Sequence, residues 1–164
     1  MSHRILGAFR ARIRKRRWLQ SGSDIIISCP TTMATALDWA ALEIAVVGGD
    51  EREREIARLA ATTRARVRAY GFPWPDDGIA GVQRADSAAA ALDGARVALF
   101  PIPGLASDGR LFAPACDEAI VPDRSLLSRM APEAHIILGT PDARLEQTAK
   151  ELGVTLHEYE SDRE

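Results

Sequence analysis

The chain has 164 residues, 46% of them hydrophobic and 27% charged, with 21 Lys+Arg against 23 Asp+Glu. This is the composition of one globular domain, and it excludes both wholesale disorder and a two-domain dehydrogenase. The net charge of −2 gives no overall attraction to polyanions, although residues 1–37 carry +6 and the remainder −8.

The basic excess comes from Arg4, Arg10, Arg12, Arg14, Lys15, Arg16 and Arg17. Trp18–Asp24 behind it is not the apolar core of a signal peptide. Clustered Arg and Lys bind phosphates by counterion release, so nucleic acid or anionic lipid is one reading of the cluster. The simpler reading, which we adopt, makes residues 1–42 an unstructured extension, or translation from an upstream start with Met33 as the natural beginning. Neither nucleic acid nor membrane is therefore an expected partner, and no apolar run approaches the ~20 residues of a span. Cys29 and Cys116 are the two cysteines, far apart, and a disulfide framework needs more cysteines in a smaller chain, which points to a reducing cytoplasm. His3, His135 and His157 show no ligand spacing with each other or with the cysteines, so no metal is expected. His135 and His157 lie in apolar runs and are read as partly buried structural histidines.

From Ile44 onward short apolar runs alternate with helical patterns. Ile44–Val47 reads as a strand buried on both faces, ended by Gly48-Gly49-Asp50. A helix from Glu51 to Thr62 follows, with Asp50 as its cap and Glu51, Glu53 and Glu55 at the positive end of its dipole. Arg66–Tyr70 alternates as a second strand, and Phe72–Gly78 is a proline-broken loop. A short alanine-rich helix at Ser87–Leu92 leads to a third strand, Val97–Phe100, and a long loop, Pro101–Gly109. Glu118–Val121 reads as a small strand before a helix capped by Asp123. His135–Gly139 is the fourth main strand. Thr140-Pro141 has the cap and first-turn proline of a helix that stops at Gly153, before a last strand, Val154–His157. The pattern is an α/β fold, a doubly wound parallel sheet of about five strands in three layers.

Ligands of such sheets sit beyond the carboxyl ends of the strands, so the loops Gly48–Arg52, Pro101–Gly109 and Gly139–Asp142 frame the candidate site. The first does not read as a dinucleotide turn. It lacks the later glycines of G-x-G-x-x-G, no acid ends the second strand, and its carboxylates repel a pyrophosphate. No phosphate-binding loop or nucleophile elbow is present. The loops instead offer Asp50 and Arg52 at one helix start and Asp108 opposite. Arg52 suits two-point pairing with a carboxylate ligand, or equally a surface pair with Asp50 or Glu55.

The run Ile44-Ala45-Val46-Val47-Gly48-Gly49-Asp50-Glu51-Arg52 resembles the opening signature of the dipicolinate synthase A-subunit family. Gly71-Phe72, Phe100-Pro101-Ile102-Pro103-Gly104, Asp108-Gly109 and Gly139 follow in that family's order, and the resemblance extends from about Ile44 to Glu160. It implies that residues 43–160 are the amino-terminal domain of a two-domain dehydrogenase, whose NAD(P) sits on a separate Rossmann domain absent from this chain. Residues 161–164 would be a truncated linker. It also implies oxidation of the dihydrodipicolinate-level intermediate of the lysine pathway to dipicolinate during spore formation, with the flavoprotein-like B-subunit of dipicolinate synthase as partner. Gly48, Gly49, Asp50, Arg52, Pro101, Gly104 and Gly139 would line the cleft for a small dicarboxylate substrate, and Asp108 and Thr140 complete the candidate set. The alternative is a stand-alone, catalytically inactive module that binds a small ligand or another protein.

Overall fold

The structure, a computed structural model, describes residues 38–159. The basic cluster Arg4–Arg17, Cys29, Met33 and residues 160–164 lie outside the described residues. A 3₁₀ turn, Trp39–Ala41, capped by Asp38, leads into the first strand. Six strands follow: β1 (Glu43–Val47), β2 (Arg66–Tyr70), β3 (Val82–Arg84), β4 (Val97–Leu99), β5 (His135–Leu138) and β6 (Thr155–Glu158). They form one sheet in the order β3-β2-β1-β4-β5-β6, and every pairing is parallel.

The central strand shows why the sheet needs cover on both sides. Ile44 and Val46 of β1 join Val67 and Ala69 in one core cluster, closed by Ala57 of α1 (Glu51–Thr62). Ala45 and Val47 point the other way, to Ala98, Phe100, Ile136 and Leu138. That side is closed by α2 (Ala88–Leu92), α3 (Arg124–Leu127) and α4 (Ala143–Leu152), through Leu92, Leu127, Leu145 and Ala149. A strand buried on both faces must read as an unbroken apolar run, and Ile44–Val47 does.

The doubly wound three-layer fold is the one expected, with an additional strand. Val82–Arg84 is not readable as β3 from sequence because Val82 is only half-buried and Gln83 and Arg84 are exposed. No alternation survives in three residues at a sheet edge. Glu118–Val121 is a correction in the other direction. It forms no strand: its Ile120 carbonyl accepts from the Leu111 N–H at 2.8 Å and its Val121 carbonyl from the Asp123 N–H at 2.8 Å, without a ladder. The start of α4 is also corrected. Asp142 is the cap, accepting from the Leu145 N–H at 2.7 Å, while Thr140 and Pro141 precede the helix. Thr140 is held elsewhere, since its carbonyl accepts from the Leu105 N–H at 3.4 Å. His135 and His157 are exposed, not partly buried, because they occupy strand positions next to the inward-facing Ile136 of β5 and Leu156 of β6.

Candidate functional site

The chain runs outward from β1 to β2 and β3, then crosses back to β4 and continues to β5 and β6. The winding therefore reverses between β1 and β4, and the crevice at their carboxyl ends is where open α/β sheets bind ligands. The loops after β1, β4 and β5 converge there.

Gly48 and Gly49 turn the chain out of β1 with φ of 79° and 98°, a region open to glycine at little cost. Their N–H groups donate to the carbonyls of Tyr70 at 2.8 Å and Phe112 at 2.6 Å. Asp50 then caps α1. Its carboxylate accepts from the Arg52 N–H at 2.9 Å, and Glu53 reaches back to accept from the Asp50 N–H at 2.8 Å, a complete capping box. Arg52 folds onto Asp50 as well, donating from Nε at 3.1 Å and from Nη2 at 3.0 Å. This hydrogen-bonded guanidinium holds the half-buried Asp50 carboxyl below the ordinary carboxylate range, and the carboxylate in turn raises the pKa of Arg52.

The loop after β4 is locked to the one after β5. The Pro101 carbonyl accepts from the Gly104 N–H at 2.8 Å and the Gly139 N–H at 3.2 Å. A Cβ on Gly139 would run into the Ile102 carbonyl, and one on Gly104 into the Thr140 backbone. Only glycine allows these two loops to touch. From Leu105 to Leu111 the chain folds back on itself, with the Ala106 N–H donating to the Arg110 carbonyl at 2.8 Å. Asp108 stands in this excursion and pairs with Arg110 at 3.0 Å.

Gly48, Pro101, Gly104, Gly139 and Thr140 are thus brought into one contact network, which Gly49 joins through Phe112. Asp50 and Arg52 sit at its rim, bonded to each other. Asp108 is bonded to Arg110 within its own loop and not to Asp50 or Arg52. The residue that sequence reading missed is Glu53. It is 1% exposed, the one buried charged residue among those described. One carboxylate oxygen holds Asp50, and the other accepts from the Ile102 N–H at 3.3 Å, so it joins the β1 turn to the β4 loop. The signal was present as the third helical position after a capping Asp, where a Glu side chain closes a box.

This turn does not fit a dinucleotide. The Glu53 carboxylate lies directly under Gly49, where an added Cβ would meet it, and the Asp50 carboxylate takes a first-turn N–H. A pyrophosphate needs those N–H groups free and finds two carboxylates among them. Beside the crevice, at the ends of β2 and β3, lies an open pocket of about 470 Å³, with Tyr70, Trp74, Asp86 and Cys116 in its walls. None of the nine candidate residues lines it. The Tyr70 hydroxyl lies 3.5 Å from the Cys116 sulfur, and its pKa is pushed up to about 12, first by that hydrogen bond and then by burial. Trp74 folds back on the sheet edge, stacked on Phe72 with Arg84 over its ring.

The family profile of the dipicolinate synthase A-subunit N-terminal domain matches residues 43–160. This chain belongs to that family. The dipicolinate synthase A-subunit from Bacillus halodurans is similar in structure, with 24% identity and a TM-score of 0.62 over 71% of this chain and 40% of that one. Its counterpart from Bacillus subtilis is similar at 26% identity and a TM-score of 0.60, over 71% of this chain and 39% of that one. The chain therefore spans about two fifths of the length of these two dipicolinate synthase structures. A D-isomer specific 2-hydroxyacid dehydrogenase from Lactobacillus delbrueckii ssp. bulgaricus shares the fold at 15% identity and a TM-score of 0.52, over 72% of this chain and 34% of that one. No curated protein sequence is significantly similar to the chain. Among the described residues, no helix of this dipicolinate synthase-type N-terminal domain is long and apolar enough to cross a membrane.

Proposed function

We propose that residues 43–160 form the substrate-side wall of an NAD(P)-dependent oxidoreductase that makes dipicolinate from its dihydro-level precursor during sporulation in the cytoplasm. The family match over those residues carries this reading. The nucleotide sits on a separate domain, in keeping with a β1 turn whose amides are already taken by Asp50 and Glu53. The B-subunit of dipicolinate synthase and the cofactor domain are the expected partners. The substrate is a small dicarboxylate, and Arg52 at the rim is the group suited to it. Its two-point grip on Asp50 is the geometry a ligand carboxylate requires, so the ligand takes the place of Asp50 on the guanidinium.

Calorimetric titration of the full chain with dipicolinate tests this. The expected result is saturable binding that weakens roughly tenfold or more in Arg52→Ala, the scale of one charge-assisted pair. Arg52→Lys, which keeps the charge without the fork, should recover only part of the loss. Unchanged affinity in Arg52→Ala would remove Arg52 from the site, and no binding at all would leave the stand-alone module as the better reading. Robust turnover of the cyclic precursor with NADP by this chain alone would defeat the separate cofactor domain.

A further inference from the structure

His135 and His157 are 22 positions apart in the chain, yet the parallel register of β5 and β6 sets Nδ1 of the first 3.1 Å from Nε2 of the second. Ile136 and Leu138 turn into the core, so the two imidazoles share the opposite face of the sheet and both are exposed. Their ring centres are 5.2 Å apart and the planes are tilted by 40°.

As a hydrogen bond, the contact joins one protonated and one bare ring nitrogen in competition with water, and contributes little. The same spacing serves a second purpose. Metal–imidazole bonds of about 2.0–2.1 Å, opened to about 100°, place two ligating nitrogens about 3.1–3.2 Å apart. Two paired strands therefore hold two ring nitrogens at the bite distance of a single cation, which replaces the shared proton between them. We propose that His135 and His157 chelate a divalent transition-metal ion of the nickel, copper and zinc group. Neutral imidazoles select these ions over magnesium and calcium, which require oxygen ligands. Among the described residues no three or more His, Cys, Asp or Glu side chains cluster so as to hold a metal ion. The site is thus an open one, with its remaining positions left to water or to a ligand from outside. His135 opens β5 and His157 stands level with Ile137, and neither belongs to the candidate cleft set, so the proposal does not rest on the proposed activity. Sequence spacing could not show it, because the pair is made by register and not by a short motif.

The test is a titration of the full chain, stripped with a chelator, with Zn²⁺ alone against a chromophoric competitor and with Ni²⁺ alone. One equivalent should bind, with the imidazole resonances of both histidines shifting together. His135→Ala and His157→Ala should each weaken binding by roughly tenfold or more, as a two-point grip becomes a single contact. Both rings are exposed, so both variants should keep the parent circular dichroism and Tm. Wild-type affinity in both variants, or loss of the equivalent only on replacing His3 or Cys29, would overturn the proposal.

Discussion

Glu53 shows how one side chain can hold a site together without facing its ligand. Its carboxylate accepts from two N–H groups that belong to different loops, and it is 1% exposed. Glu53→Ala leaves both donors short of a partner, at about 1–3 kcal/mol for each that stays buried. Urea unfolding should show this loss, with Glu53→Gln costing less because an acceptor oxygen remains. Equal stability of Glu53→Ala and the parent would refute the role. Gly139 bears on the same junction from the other side. Gly139→Ala forces the Pro101–Gly104 loop away from β5 and should cost on the order of 1–3 kcal/mol, the usual penalty of overpacking. A glycine that ends a strand is easy to see in a sequence. The residue that approaches it is not, because Ile102 lies 37 positions away.

At the level of elements, helix starts are the most legible features, and they also make the pH dependence calculable in sign. Asp123 caps α3, accepting from the Leu126 N–H at 2.9 Å and from the Ser125 hydroxyl at 2.8 Å. Those bonds, the backbone one first, lower its pKa, as Arg52 does for Asp50. A carboxyl lowered in the folded state contributes stability that is full above its unfolded pKa and is lost as pH falls through the folded one. The loss should therefore begin at about pH 4, the ordinary aspartate value, and continue below it. Asp123→Asn keeps the cap and removes the titration, so its urea midpoint should fall less than the parent's between pH 6 and pH 3. An identical fall would show that Asp123 does not contribute. Asp142→Ala, which uncaps the longer α4, should lose about 1 kcal/mol at neutral pH, measurable as a lowered Tm. Sequence places that cap two residues early, since Thr140-Pro141 satisfies the local rules equally well. Only the contact of Thr140 with the β4 loop removes it from the helix.

For the whole molecule, the order β3-β2-β1-β4-β5-β6 matters more than any motif, because it puts the reversal of winding beside the Gly48–Arg52 turn. With both carboxylates of the capping box at that turn, the full chain should give no saturable enhancement of NADPH fluorescence. A micromolar dissociation constant would mean that a nucleotide site exists on this chain and would overturn the assignment of the cofactor elsewhere. Binding of dipicolinate without NADPH would fit one wall of a cleft that another domain completes.

The amino-acid sequence by itself determined the layers and the main strands. Unbroken apolar runs such as Ile44–Val47, alternating with helical patterns, fit a parallel sheet covered on both faces, and Gly48-Gly49-Asp50 ends the first of them. The capped start of α1 and the poor fit to a pyrophosphate were likewise local matters of charge and spacing. The tertiary structure decided what depends on partners distant in the chain. It set β3 at the edge, turned Glu53 inward between two loops and brought His135 to His157. The reason is the same each time: hydrogen bonds and side-chain contacts across a sheet are set by strand order and register, and neither is written in the residues of a single strand.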